Sequence, residues 1–284
     1  MPISLRLSDD GTRLETRGIQ RGTHIVYTVR PGDTLYSIAN QFGTSVPAVI
    51  EANALYPPVA DPGLIYPGQK LLVRVPGMTD QSAVIHQVTE GDTMFRLAER
   101  YSHGLEMLAA VNQMQLPEIL PVARLVNVLS FVYEVEPGDS LFRIAGRLGV
   151  PMSTIARANQ GRPGFSPEVL YPGFRLVVPL PSSTNIAVFQ PLPGTPITAG
   201  QPLIGIARAF EAAALYRIVD AAGQTVTDEQ PFMTDAGAPM FGNFEVPIKI
   251  ERKPANATGT LMVYTRSARD GSIQDLVEVA VTFG

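Results

Sequence analysis

The chain has no cysteine among its 284 residues. That excludes a disulfide framework, a thiol nucleophile and a zinc–thiolate centre. Histidine is scarce: His24, His86 and His103 are the only three. Basic excess is missing too. The net charge is −4 and no basic stripe runs through the chain, which argues against a nucleic-acid partner. No apolar run is long enough to span a bilayer. The start, Met1-Pro-Ile-Ser-Leu-Arg-Leu-Ser-Asp-Asp10, lacks the basic head and apolar core of a secretory signal. Either the protein matures inside a cell or a signal has been removed. Carboxylates are plentiful, and counting them does not settle a glycosidase pair.

What is present is a repeat. Tyr27-Thr-Val-Arg-Pro-Gly-Asp-Thr-Leu-Tyr-Ser-Ile-Ala39 returns from His86 and again from Tyr133. In each copy an Asn follows 26 residues later: Asn53, Asn112 and Asn159. A spacing held three times means one folded unit was copied.

Each unit reads strand, helix, helix, strand. Alternation and β-branched residues over 25–29 predict the first strand. Pro31-Gly32-Asp33 predicts a turn, with Gly at a positive-φ position. Leu35, Ile38, Ala39 and Phe42 then follow helical spacing, as do Met94, Leu97, Ala98 and Tyr101, and Leu141, Ile144, Ala145 and Leu148. Gly43 and Gly149 are placed to end their helices. A second short helix points Val46, Val49 and Ile50 inward, with Leu105, Leu108 and Ala109, then Met152, Ile155 and Ala156, as counterparts. Tyr66-Pro67-Gly68-Gln69 and Tyr171-Pro172-Gly173-Phe174 introduce the closing strands.

These units resemble LysM domains, small βααβ modules that bind N-acetylglucosamine-containing glycans. Beyond Pro181-Ser-Ser-Thr-Asn185 the pattern turns all-β, with strands expected at 186–189, 203–208, 214–219, 244–250, 260–267 and 276–283. About seven short strands suggest a β-sandwich. This part resembles the immunoglobulin-like domain, of the Gmad type, found in bacterial sporulation and germination proteins. The expected fold is therefore multidomain, α+β and all-β: three βααβ modules plus a C-terminal immunoglobulin-like sandwich. The expected divisions are an arm at 1–22, mobile or loosely docked, modules at 23–76, 83–129 and 131–180, and the sandwich at 185–284. Pro76–Ser82 is expected to leave the first module some freedom. Leu129-Ser130 leaves the other two packed rigidly.

The LysM resemblance implies a shallow groove between two loops. On the first copy it points to Gly32, Asp33 and Thr34 on one wall and Asn53, Ala54, Leu55 and Ile65 on the other. On the third it points to Gly138, Asp139 and Ser140 against Asn159, Gln160, Gly161 and Leu170. The second copy lacks Pro-Gly-Gln and is expected to act mainly as a spacer. A competing assignment makes Asp33, Asp92 and Asp139, or the hydroxyls of Thr34, Thr93 and Ser140, helix caps. It makes the three Asn local backbone braces. The implied ligand is peptidoglycan or a chitin-like glycan, with other spore-envelope proteins as partners of the sandwich. No cofactor, metal or catalytic residue is implied, and no segment resembles a catalytic domain. The implied setting is the cortex–coat boundary of the spore envelope, with synthesis in the mother cell. The alternatives are a coat-assembly scaffold and a wall hydrolase with an unrecognised site.

Overall fold

The computed structural model describes residues 18–61, 63–79, 81–117 and 119–284. Most of the expected arm, 1–17, lies outside the described residues. Its end is built into the fold. β1 (Ile19–Gln20) pairs antiparallel with β6 (Ser130–Glu134) of the third module, Ile19 opposite Tyr133.

The first module runs β2 (Thr23–Thr28), α1 (Leu35–Gln41), α2 (Val46–Ala52) and β3 (Lys70–Val75). The second runs β4 (Ala83–Gln87), α3 (Met94–Tyr101), α4 (Leu105–Val111) and β5 (Leu125–Asn127). The third runs β6, α5 (Leu141–Leu148), α6 (Met152–Ala158) and β7 (Arg175–Pro179). Helices of two turns do not hold alone in water, so each must pack. The helical spacing named the packed faces of α1, α3 and α5: Leu35, Ile38 and Ala39 are buried, as are Met94, Leu97, Ala98 and Tyr101, and Leu141, Ile144, Ala145 and Leu148. In α6 the inward face is Ile155 and Ala158, while Met152 stays 40% exposed. Gly149 closes α5 in the left-handed region, and Ser102 takes that conformation where the second copy has no Gly.

The modules are not beads on a string. β2 pairs in parallel with β4, Thr23 opposite Ala83, so the first two modules share one sheet in the order β3-β2-β4-β5. The freedom expected of Pro76–Ser82 is therefore absent. That segment is the crossover of a continuous sheet, and Val132 N–H of the third module donates to Ser82 Oγ at 2.9 Å. The cores merge as well. The second module's core takes Val26 and Leu72 from the first and Val132, Ala158 and Val177 from the third.

A buried guanidinium closes the third side. Arg162 donates to Asn159 Oδ1 at 2.9 Å and to the Arg175 carbonyl in its own module. Across the seam it donates to Ala52 O at 3.3 Å and Asn53 Oδ1 at 3.2 Å in the first module. It carries no carboxylate partner among the described residues, and burial, helped by the nearby Arg100 charge, pulls its pKa down to about 9. Beside it Arg175 bridges Glu51 of the first module at 2.8 Å and Glu134 at 2.9 Å.

The C-terminal part is a two-sheet sandwich. Its strands are β8 (Ile186–Gln190), β9 (Thr195–Ile197), β10 (Pro202–Ala207), β11 (Ala213–Asp220), β12 (Thr225–Met233), β13 (Gly242–Pro247), β14 (Thr258–Arg266) and β15 (Ile273–Phe283). One sheet runs β13-β10-β8, the other β12-β11-β14-β15-β9. The sandwich rests on the modules: Gly194 lies against Leu148 and Ala280 against Gly149, Gln190 bonds Gln81, and Arg208 pairs with Glu106.

All three histidines are buried. His103 Nε2 donates to Leu129 O at 3.0 Å and its Nδ1 lies 2.9 Å from Ser182 Oγ, joining α4's start to the sandwich linker. Burial pulls His24 and His103 down to about 4 and lowers His86 too. An unfolded histidine titrates near 6.5. Below that pH the unfolded chain takes up protons that the folded chain refuses, so stability falls with acidification. Each of His24 and His103 costs about 2 kcal/mol by pH 5. The melting temperature is expected to fall between pH 7 and 5 in calorimetry, and to fall less in His103→Gln. A flat profile contradicts the assignment.

Candidate glycan groove

In every module a pair of backbone bonds ties the two loops together at one valine. Val29 N–H donates to Gln69 O and Gly68 N–H to Val29 O, both at 2.8 Å. Val88 does the same with Arg124 O and Ala123 N–H, also at 2.8 Å. Val135 does so with Phe174 O at 2.9 Å and Gly173 N–H at 2.8 Å. The second copy has lost Pro-Gly-Gln but not this clamp, because Ala123 adopts the left-handed conformation (φ 71°) that Gly68 and Gly173 hold.

The aspartates brace the first loop rather than cap the helix. Asp33 Oδ2 accepts from Arg30 N at 2.7 Å and from the Tyr27 hydroxyl at 2.6 Å. Asp139 accepts from Glu136 N at 3.0 Å and Tyr133 at 2.6 Å. Asp92 accepts from Thr89 N at 2.9 Å and His86 Nε2 at 3.0 Å, while His86 Nδ1 meets the Tyr101 hydroxyl at 2.9 Å. Burial pushes the Asp92 carboxyl up, but donation from His86 and Thr89 holds it well below the usual range. Burial, then the bond to Asp33, raises Tyr27 to about 12. The capping duty falls to the next residue: Thr34, Thr93 and Ser140 accept from Ser37 N, Arg96 N and Arg143 N at 3.0, 3.1 and 3.3 Å.

Gly32, Gly138, Thr34 and Ser140 are exposed on the first wall, and Asp33 and Asp139 are partly so. The second wall differs from the expectation. Asn53 and Asn159 are fully buried, and their amides are spent. Asn53 Nδ2 donates to Val49 O at 2.9 Å and Leu72 O at 2.8 Å, and Leu72 N–H donates to its Oδ1 at 2.7 Å. Asn159 bolts α6 to β7 through Ile155 O, Val177 O and Val177 N–H, and Asn112 links Leu108 O to both backbone groups of Asn127. Their side chains thus join the second helix to the closing strand. Ala54 and Leu55 are buried too. Gln160 and Gly161 are exposed, but their carbonyls are taken at the module seam by Arg100 and by Lys70 N–H. Ile65 and Leu170 are half-buried.

Two sets of residues escaped the sequence reading. Arg162 stands in no repeat register with the other copies, so no pattern announced it. Tyr36, Phe95 and Phe142, each one place after the first buried residue of its helix, are open to solvent. Their recurrence at one repeat position was the available signal.

Asn159→Ala strips four bonds from a buried junction, the one from Arg162 among them, and is expected to cost about 2–4 kcal/mol. Urea unfolding reads this as a lowered midpoint, and an unchanged midpoint contradicts the bolt.

The family model of the LysM domain matches residues 27–74, 86–126 and 133–179. That of the immunoglobulin-like domain of bacterial spore germination matches 185–272. A probable autolysin, SsaALP, of Staphylococcus aureus is 31% identical over 105 residues, 34% of this chain and 37% of that protein. The N-acetylmuramoyl-L-alanine amidase sle1 of Staphylococcus epidermidis is 29% identical over 107 residues, 34% of this chain and 31% of that protein. The chain thus spans about a third of the length of these two relatives. The secreted LysM effector ECP6 of Passalora fulva is 27% identical over 140 residues, 42% of this chain and 60% of that protein. Among solved structures, the spore cortex-lytic enzyme SleL of Bacillus cereus shares 30% identity over 37% of this chain and 22% of its own, with a TM-score of 0.27.

Proposed function

The chain carries three LysM domains followed by an immunoglobulin-like domain of bacterial spore germination, and on that basis we propose that it binds peptidoglycan without cleaving it. The observation that carries this reading is the threefold clamp at Val29, Val88 and Val135. It holds an exposed Gly turn beside a second loop in each module, an open backbone frame suited to an N-acetyl group with one donor, one acceptor and a methyl. The names of the matched relatives, an autolysin and an amidase, support a cell-wall setting, and the germination domain supports a spore setting. The proposed place is the spore envelope at the cortex, anchored by the LysM array, with the sandwich facing other envelope proteins.

The fused array alters how several weak sites act together. Sites fixed on one body act together only where their spacing matches the polymer, and then gain about 10²–10⁴-fold over one site. Purified protein is expected to co-sediment with insoluble cortex peptidoglycan, and N-acetylglucosamine oligomers are expected to release it. No dye is expected to leave labelled peptidoglycan. Protein that stays in the supernatant sinks the binding reading, and dye release sinks the non-catalytic one.

A further inference from the structure

Away from the LysM modules, the five-stranded sheet of the sandwich carries a shallow cavity of about 240 Å³ on its outer face. Arg217, Thr225, Glu229, Tyr264 and Arg266 are among its walls. On β11 the side chains of Tyr216 and Ile218 enter the sandwich core, so Arg217 between them points outward. Toward β14 it stands opposite Met262. Toward β12 the register slips by one residue, from Tyr216 opposite Gln230 to Ile218 opposite Thr227. Asp228 and Glu229 therefore share the place opposite Arg217. This is a bulge, a device that re-aims side chains.

The bulge gives both carboxylates to other partners. Asp228 takes Arg252 at 2.6 and 3.1 Å. Glu229 takes Arg266 and the Tyr264 hydroxyl, each at 2.6 Å. Arg266 also donates to Gly271 O at 2.7 Å. Arg217 is left over. Its Nε reaches Met262 Sδ at 3.2 Å, a weak acceptor. Its two terminal nitrogens, and the Thr225 hydroxyl, have no partner among the described residues. The guanidinium lies 6.0 Å from the centre of the Tyr264 ring, and Arg266 lies 5.7 Å from it. Tyr264 is fully buried although it stands on the outer face. Covering that ring needs no charge, since Met or Leu would do so without desolvating a cation. A half-buried guanidinium steadied by a ring and a thioether, its fork unmet, is pre-set for a planar two-oxygen acceptor. Glu229 does not repel such a group strongly, because Arg266 already neutralises it.

The place of the cavity points to the source of that acceptor. Arg217 lies two strands across and two residues along from Ala280, about 12 Å by strand spacing and rise. Ala280 is where this sheet meets Gly149, at the end of α5. The outer face of the sandwich and the third module thus form one surface. A peptidoglycan strand lying on that module would bring its short peptides, with their carboxylate ends, beside the cavity. One fork in a small cavity matches one carboxylate, not a protein interface of about 1,000 Å² or more.

We infer that Arg217 and Thr225 form a carboxylate-binding site on the sandwich, and that it takes a peptide carboxylate of the same wall polymer the LysM modules hold. The source of the carboxylate rests on the peptidoglycan-binding reading above; the site itself does not.

Diacetyl-L-Lys-D-Ala-D-Ala, titrated into the full chain, is expected to shift the amide NMR signals of Arg217, Thr225 and their strand neighbours and to saturate. Its C-terminal amide is expected to leave them unmoved, and N-acetylglucosamine oligomers are expected not to compete. Arg217→Met keeps a cover over Tyr264, so it is expected to hold the wild-type melting temperature and lose the peptide. Arg217→Lys keeps the charge without the fork and is expected to bind about fivefold or more weakly. On insoluble peptidoglycan, Arg217→Met is expected to lose about threefold or more in retention. On wall stripped of its peptides by an amidase, it is expected to match wild type. Signals that do not saturate, or an amide that binds like the acid, overturn the site. Equal retention of variant and wild type on intact wall overturns the wall polymer as its source, and tighter binding of oligoglutamate would then assign the site to a protein partner. Wild type that pellets with neither wall overturns the glycan reading, and the peptide titration still decides the site.

Discussion

A guanidinium buried without a carboxylate holds this molecule together. Arg162 is 5% exposed and donates only to neutral oxygens, two from its own module and two from the first. Taking a charge out of water costs several kcal/mol unless its donors are met. Here the two terminal nitrogens find a strand carbonyl, a helix-end carbonyl and two asparagine amides, while Nε stays buried without a partner, and each amide already bolts a helix to a strand. One cation thus couples two internal joints, and a shift of either module would strand it. The relative placement of the first and third modules follows from this constraint, as does the approach of Tyr56 and Val59 to Gly173 and Gly164.

The three histidines follow a related logic. His86 and His103 sit where both nitrogens of a neutral ring find partners, and His24 is buried with Nδ1 on Gly22 O and Nε2 unpartnered, so a second proton suits none of them. His86 takes the place of Tyr27 and Tyr133 in the brace to the turn aspartate, and Tyr101, where the other copies have Phe42 and Leu148, supplies the hydroxyl its second nitrogen needs. The two replacements compensate each other within one module.

Local patterns were legible in the sequence. The inward faces of α1, α3 and α5, the positive-φ glycines and six of the sandwich strands follow from periodicity and turn chemistry. β12 was missed because Asp228-Glu229-Gln230-Pro231 is polar and carries a proline, as tolerated on a sheet edge. The asparagines announced their importance by spacing, but their partners lie 15 to 19 residues away, beyond any local rule. The parallel pairing of β2 with β4 was illegible for the same reason: it depends on register between strands of different repeats. Of the residues expected along the groove, Gly32, Thr34, Gly138, Ser140, Gln160 and Gly161 lie on the surface, while Asn53, Asn159, Ala54 and Leu55 are buried; a position that recurs for packing reads the same in sequence as one that recurs for contact.

The shared sheet has a consequence for how such an array can change over generations. Independent beads gain or lose members by tandem duplication at little cost, since each carries its own core. Here the middle unit's interior is finished by Val26 and Leu72 on one side and Val132 and Val177 on the other. Deleting a unit would open an apolar face, and inserting one would separate strands that must pair. A change of copy number would therefore disturb sheet and core together, whereas changes in the loops would not.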